Sequence, residues 1–300
     1  RHCIKTRQTG AVLFVDQEKA FDRVLWEFRD RVLERFGFGP FFRYLIYLIH
    51  VDLRACVLVN GHRSAPFPVR RGTRQGDSLS PGLFALMDEA FACALRANPD
   101  FHGLPLPDGG YGGVVKLAQY ADDKAPFLRS PQDIRPMQDT FKLYEDASGA
   151  RVNAAKSCLL LLGPPELHDR AAWQGLGVPV LQAHETTTYL GVPVGNQVDS
   201  RAIWLSCLDK LNRVLGLWSR RDLTLRGRVT VLKTMACSQM WYLACITPLP
   251  DDISKQIQTS MWRFLWRGHD RGLVQRDLCL QLRDSGGLEM LDLPAMVGAL

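Results

Sequence analysis

The spacing of apolar residues changes character near residue 199, and this limits the fold more than any other feature of the chain. Before that point, short apolar runs alternate with segments of helical period. Residues 11–15, 55–59, 65–69, 114–120, 125–128, 157–162 and 187–192 read as strands, and 26–36, 41–49, 80–97 and 131–148 as helices. The punctuation agrees: Asn60-Gly61 is a hairpin dipeptide, Ser80-Pro81 a helix start and Gly149 a helix C-cap, while 98–113 is a Pro- and Gly-rich loop. From 199 to about 267 the pattern is almost wholly helical. An α+β body over residues 1–197 is therefore expected, followed by a helical domain over 198–270 and a C-terminal extension over 271–300.

Composition narrows the function classes. Hydrophobic residues make up 46% and charged residues 23%, ordinary globular usage, so a disordered chain is not expected. No run reaches the roughly 18 apolar residues that read as a transmembrane helix; the greasiest stretch, 41–59, is broken by Arg43, His50, Asp52 and Arg54. The eight cysteines form no CxxC pair, which points away from a zinc site or disulfide framework and toward a reduced intracellular compartment, nucleus or cytoplasm. They read mostly as small core residues. The net charge is +6, and the basic excess is concentrated between 199 and 283, largely as arginine. A planar guanidinium suits phosphate oxygens, so a polyanionic partner fits this stretch, as does a plain solvated face.

The chemistry centres on three carboxylates. Asp16 ends the first predicted strand, and Asp122-Asp123 stand at the tip of a predicted hairpin. Brought together, such groups repel unless cations hold them. Oxygen donors on a rigid sheet suit magnesium, with manganese possible, and two ions about 3.5–4 Å apart can drive an in-line phosphoryl displacement. The same residues also suit an ordinary turn and a solvated strand end.

Five stretches in order decide between these readings: Phe14-Val-Asp-Gln-Glu-Lys-Ala-Phe-Asp22, Arg71-Gly-Thr-Arg-Gln-Gly-Asp-Ser-Leu-Ser-Pro81, Tyr120-Ala-Asp-Asp123, Ser148-Gly-Ala-Arg-Val-Asn-Ala-Ala-Lys-Ser157 and Tyr189-Leu-Gly-Val192. The set resembles motifs A to E of the reverse transcriptases of non-LTR (LINE-type) retrotransposons, and residues 223–229, 264–266 and 286–288 resemble the family's thumb. The resemblance implies a right-hand polymerase palm, an antiparallel sheet with packed helices, followed by a helical thumb, and an RNA-directed DNA polymerase that joins dNTPs to a primer 3′-hydroxyl. Its partners would be an RNA template, a DNA primer and the resulting RNA–DNA hybrid, with no membrane. The fingers are expected to be largely missing here, together with upstream endonuclease segments.

By the same resemblance Asp16, Asp122 and Asp123 bind two metal ions, and Lys156 protonates the leaving pyrophosphate. Phe21 is the aromatic gate against a ribose 2′-hydroxyl. Arg74, Gln75 and Gly76 face the nucleotide, and Tyr189, Leu190 and Gly191 form the primer grip. Arg220, Arg221, Arg226, Arg228 and Lys233 would contact the duplex backbone. Trp218, Trp241, Trp262 and Trp266 suit a core better than a stacking platform.

Four residues depart from the family pattern. Asp77-Ser78 replaces an apolar or Cys-Pro pair, so Asp77 either repels the triphosphate or caps the following helix. Lys124 stands beside the triad and is expected to neutralise it in part. Pro126 cannot donate a ladder hydrogen bond and suits an edge strand. These departures leave open a second reading, a degenerate, inactive relic that at most binds nucleic acid. A third is an unrelated two-metal phosphohydrolase, which leaves the motif B, D and E stretches unexplained.

Overall fold

The computed structural model describes residues 3, 6–106, 113–269 and 272–299, so residues 107–112 of the predicted loop lie outside the described residues. The chain divides into two compact units, Arg1–Gln197 and Val198–Leu300.

The first unit is built on four antiparallel strands, β1 (Gly10–Phe14), β2 (Leu117–Tyr120), β3 (Asp123–Leu128) and β4 (Cys158–Leu162), in the order β4-β1-β3-β2. Beside them run α1 (Trp26–Arg35), α2 (Pro40–His50), α3 (Ser80–Ala97) and α4 (Ile134–Ser148). Alternation along β1 and β4 sends Ala11, Leu13, Val15, Leu159 and Leu161 into a core shared with Phe91 and Leu95 of α3 and Phe141 and Tyr144 of α4. Each such side chain contributes about 1.5–3 kcal/mol on burial. The first turns of α3 serve a second cluster, in which Leu83, Phe84 and Met87 meet Val24, Leu33 and Ile46. α3 is thus the spine between the sheet and the α1/α2 layer.

The structure redraws four local expectations. Residues 187–192 are not one strand but part of a hairpin, β5 (Thr186–Tyr189) and β6 (Val192–Gly195), turned through Leu190 (φ 49) and Gly191 (φ 79). Ser80 does not cap α3. The carboxylate of Asp77 instead accepts the Leu79 N–H at 3.0 Å just ahead of the helix. Pro126 lies on an interior strand, not an edge. Its position faces Leu13 in the β1–β3 register, and that pairing is interrupted there, between Val12↔Phe127 and Val15↔Lys124. Only half of the cysteines are core residues: Cys158, Cys207, Cys237 and Cys279 are buried, Cys3 is partly buried, and Cys56, Cys93 and Cys245 are exposed.

The second unit comprises α5 (Ser200–Ser219), α6 (Leu225–Val231), α7 (Ser238–Ala244) and α8 (Asp251–Leu265), with shorter helices after residue 275. A five-residue π-turn, Leu232–Ala236, joins α6 to α7. Asp199 and Thr224 supply N-cap oxygens to α5 and α6. Trp204, Leu211, Val229, Met240, Ile253 and Met261 form the centre of its core, where the Trp204 indole donates to the Pro248 carbonyl at 3.0 Å. Trp266 is buried, and Trp218, Trp241 and Trp262 pack partly buried against this core. Among the described residues no helix is long and apolar enough to cross a membrane.

Candidate active site

Strand register sets Asp16 beside Asp123 at one end of the sheet, with Asp122 next to them in the hairpin turn. Val15, just past β1, pairs with Lys124, and its N–H donates to the Lys124 carbonyl at 2.9 Å. One residue further, Asp16 falls opposite Asp123, and both project from the face opposite Val15 and Lys124. Asp123 is the first residue of β3, paired with Tyr120, so the hairpin tip consists of Ala121 and Asp122, not of the two aspartates. Ala121 holds φ 50, a left-handed conformation that costs a non-glycine residue about 1–2 kcal/mol.

Asp16 is held from both sides. Its N–H donates to the Ser157 hydroxyl at 3.1 Å, its carbonyl accepts the Asn153 N–H at 2.9 Å, and the Ser157 hydroxyl donates in turn to the Asn153 carbonyl at 2.8 Å. Gln17 bridges Val152, and the Glu18 N–H donates to the Arg151 carbonyl at 2.9 Å. Segment 151–157 is therefore tied along the first carboxylate. Lys156 lies exposed in it.

The three charges act on one another. Partial burial, then the carboxylates of Asp122 and Asp16, push the Asp123 carboxyl above its usual range, against an opposing pull from Lys124. A proton is held more tightly where negative charges crowd, and a hard divalent cation is favoured for the same reason. The donor set thus fits magnesium in chemistry. No three His, Cys, Asp or Glu side chains among the described residues are grouped closely enough to enclose an ion.

The loop between the first carboxylate and α1 is clamped to the loop before α3. The Thr73 N–H donates to the Phe21 carbonyl at 2.7 Å, the Gly72 N–H to Val24 at 2.8 Å, and the Trp26 indole to the Gly72 carbonyl at 2.8 Å. Gly72 has φ 83, and a Cβ there would stand 2.7 Å from the Asp22 carbonyl oxygen. Gly72→Ala is accordingly expected to cost about 1–3 kcal/mol of stability, read as a lower denaturant midpoint. The same change at Gly76, whose Cβ direction is open, should cost less. Phe21 is half-buried, its ring stacked on Phe84 at 4.2 Å. Arg74 donates to the Ile49 carbonyl at 3.1 Å, and Gln75 is exposed. Arg54, Arg70, Arg71 and Arg74 line a cleft of about 820 Å³ that Gln75 also borders. Tyr189 of the β5–β6 hairpin packs its ring 5.2 Å from that of Phe14, two residues before Asp16.

Residues 1–194 match the family profile described as "Reverse transcriptase (RNA-dependent DNA polymerase)". The chain belongs to the reverse transcriptase family. It is 34% identical over 279 residues to the "Transposon TX1 uncharacterized 149 kDa protein" of Xenopus laevis, covering 87% of this chain and 20% of that protein. It is 25% identical over 226 residues to the "Retrovirus-related Pol polyprotein from type-1 retrotransposable element R2" of Popillia japonica, covering 68% and 30%. The chain thus spans well under half the length of these retrotransposon relatives, and its resemblance to non-LTR retrotransposon reverse transcriptases stands. A solved telomerase of Candida tropicalis, in complex with the TWJ fragment of telomeric RNA, aligns at a TM-score of 0.43 and 13% identity over 85% of this chain and 41% of that one.

Not every predicted site residue of this chain is free for its expected role. Arg228 is 5% exposed, and its guanidinium donates to the carbonyls of Phe264 at 2.8 Å and Leu223 at 3.3 Å. It closes the C-terminal end of α8, and it also borders the cleft lined by Arg220 and Arg221. Burial, then nearby Arg267, holds its pKa below the usual arginine range. Lys233 is half-buried, 3.7 Å from the Glu289 carboxylate. Arg226 is exposed, and Arg220 and Arg221 line a cleft of about 790 Å³ with Arg263 and Arg267. Lys124, expected beside the triad, points away from it. Strand alternation sends its ammonium through the sheet to Asp88 of α3, where both side chains are fully buried.

The sequence reading passed over Ser157 as a backbone clamp and Asp88 as a buried acid. Asp88 had a visible signal: it occupies the apolar stripe of α3 beside Phe84, Met87 and Phe91, where a lone carboxylate demands a partner.

Proposed function

We propose that this chain carries the polymerase centre of a retrotransposon reverse transcriptase, with the first unit as palm and the second as thumb, copying an RNA template into DNA. The observation that carries this reading is the convergence of Asp16 with Asp122 and Asp123 at one sheet end, beside the clamped Phe21 and Thr73 loops.

Asp16, Asp122 and Asp123 would hold the divalent ions, whose chemistry is to acidify the primer hydroxyl and offset charge on the triphosphate. The chain's own groups supply the rest. Ser157 and Asn153 fix the Asp16 backbone, so its carboxylate enters the site with little orientational freedom. Phe21, backed by Phe84, presents a flat wall against the sugar, and Gln75 and the backbone about Gly76 contact the incoming nucleotide. Lys156 delivers a proton to the departing pyrophosphate. The β5–β6 hairpin, with Tyr189, Leu190 and Gly191, holds the primer end. Arg54, Arg70, Arg71 and Arg74 track the template phosphates, and Arg220, Arg221 and Arg226 track the duplex.

The test is primer extension on an RNA template by the full-length protein. Phe21→Val is expected to keep dNTP incorporation and to lower discrimination against ribonucleotides by about tenfold or more. Unchanged discrimination would remove Phe21 from the gate. No RNA-templated extension by a folded preparation would remove the polymerase reading.

A further inference from the structure

Behind the Asp122-Asp123 hairpin, on the inner face of the sheet, lies a buried polar cluster that the chemistry above does not use. The Lys124 ammonium stands 2.5 and 2.6 Å from the two oxygens of Asp88. The same carboxylate accepts the Tyr144 hydroxyl of α4 at 2.9 Å and the Gln119 amide of β2 at 2.6 Å. Gln119 and Lys124 are cross-strand partners, so one carboxylate grips both legs of the hairpin one residue behind Asp123.

The hairpin has reason to need a grip. Its returning strand loses a ladder hydrogen bond to β1 at Pro126, and its loop holds Ala121 in a left-handed conformation. Both features leave the backbone ladder with less hold on the hairpin. A buried ion pair, for its part, contributes no more stability than apolar side chains of similar volume, so stability alone does not account for one here.

We propose that Asp88 is a positioning residue: by binding Lys124, Gln119 and Tyr144 together it anchors the β2–β3 hairpin to α3 and α4 and thereby sets where the Asp122 and Asp123 carboxylates stand. This rests on the polymerase reading only in taking those carboxylates to be metal ligands, and the test separates the two claims.

Wild type is compared with Lys124→Met, Tyr144→Phe and the double variant Asp88→Leu/Lys124→Met. The readouts are amide hydrogen exchange across residues 117–128 and manganese(II) binding by electron paramagnetic resonance. The double variant removes the charges and keeps the volume. It is expected to melt near wild type, to exchange its hairpin amides about tenfold faster, and to bind manganese about tenfold more weakly. Tyr144→Phe removes one hydroxyl and should shift both in the same direction by less, which keeps the claim testable where the double variant fails to fold. Leu95→Ala, a cavity behind the same sheet, should lower the melting temperature without exchange changes confined to the hairpin.

Wild-type exchange rates in the hairpin of both Tyr144→Phe and the folded double variant overturn the proposal. So does tighter manganese binding by Lys124→Met, which would mean that its charge opposes the cation and does not place the acids. A wild-type chain that binds no manganese sinks the metal assignment, and the exchange measurement then decides the anchoring on its own.

Discussion

Asp122→Asn is expected to lower RNA-templated nucleotide incorporation by about a thousandfold, the scale of losing a preorganised charge at a transition state. Asp122 sits in the two-residue hairpin loop, where an amide of the same shape disturbs no ladder bond, so the melting temperature should hold. Single-turnover extension with an annealed RNA template and DNA primer measures the loss. Asp123→Asn should cost comparable activity and yet stabilise the fold. The folded state binds the Asp123 proton more tightly than the unfolded chain, so stability falls as pH rises from the unfolded value of 3.8 through the raised folded value. The amide removes that penalty. The variant should melt higher than wild type above that window and like wild type below it.

Trp204→Ala is expected to cost the second unit about 3–5 kcal/mol. The indole is fully buried among Leu208, Leu211 and Ile257, and its N–H satisfies the Pro248 carbonyl, which truncation leaves without its donor. Neighbouring Leu205, 38% exposed, provides the control, and Leu205→Ala should stay within about 0.5 kcal/mol of wild type. Denaturant unfolding followed by near-ultraviolet circular dichroism distinguishes the two.

The local elements were legible where periodicity and punctuation agreed. α3 and Gly149 at the end of α4 follow from apolar spacing and a left-handed cap, and β1 follows from a short apolar run. The reading failed where one residue's fate depends on which face of a strand it takes. Lys124 is adjacent to the triad in sequence and on the other side of the sheet in space, because side chains alternate along β3. Arg228 looked like its neighbours Arg220, Arg221 and Arg226, and only the approach of α8 distinguishes it. The motif residues show the converse. Asp16 and Asp123 lie more than a hundred positions apart, and only the Val15↔Lys124 register places them together. Proline is tolerated mainly on edge strands, but the sheet accepts Pro126 on an interior strand by giving up one rung.

The Asp88–Lys124 contact has a consequence for how this gene can drift. Either residue replaced alone strands its partner's charge in an apolar interior, at about 3–5 kcal/mol. Lineages descended from this sequence should therefore change positions 88 and 124 together or not at all.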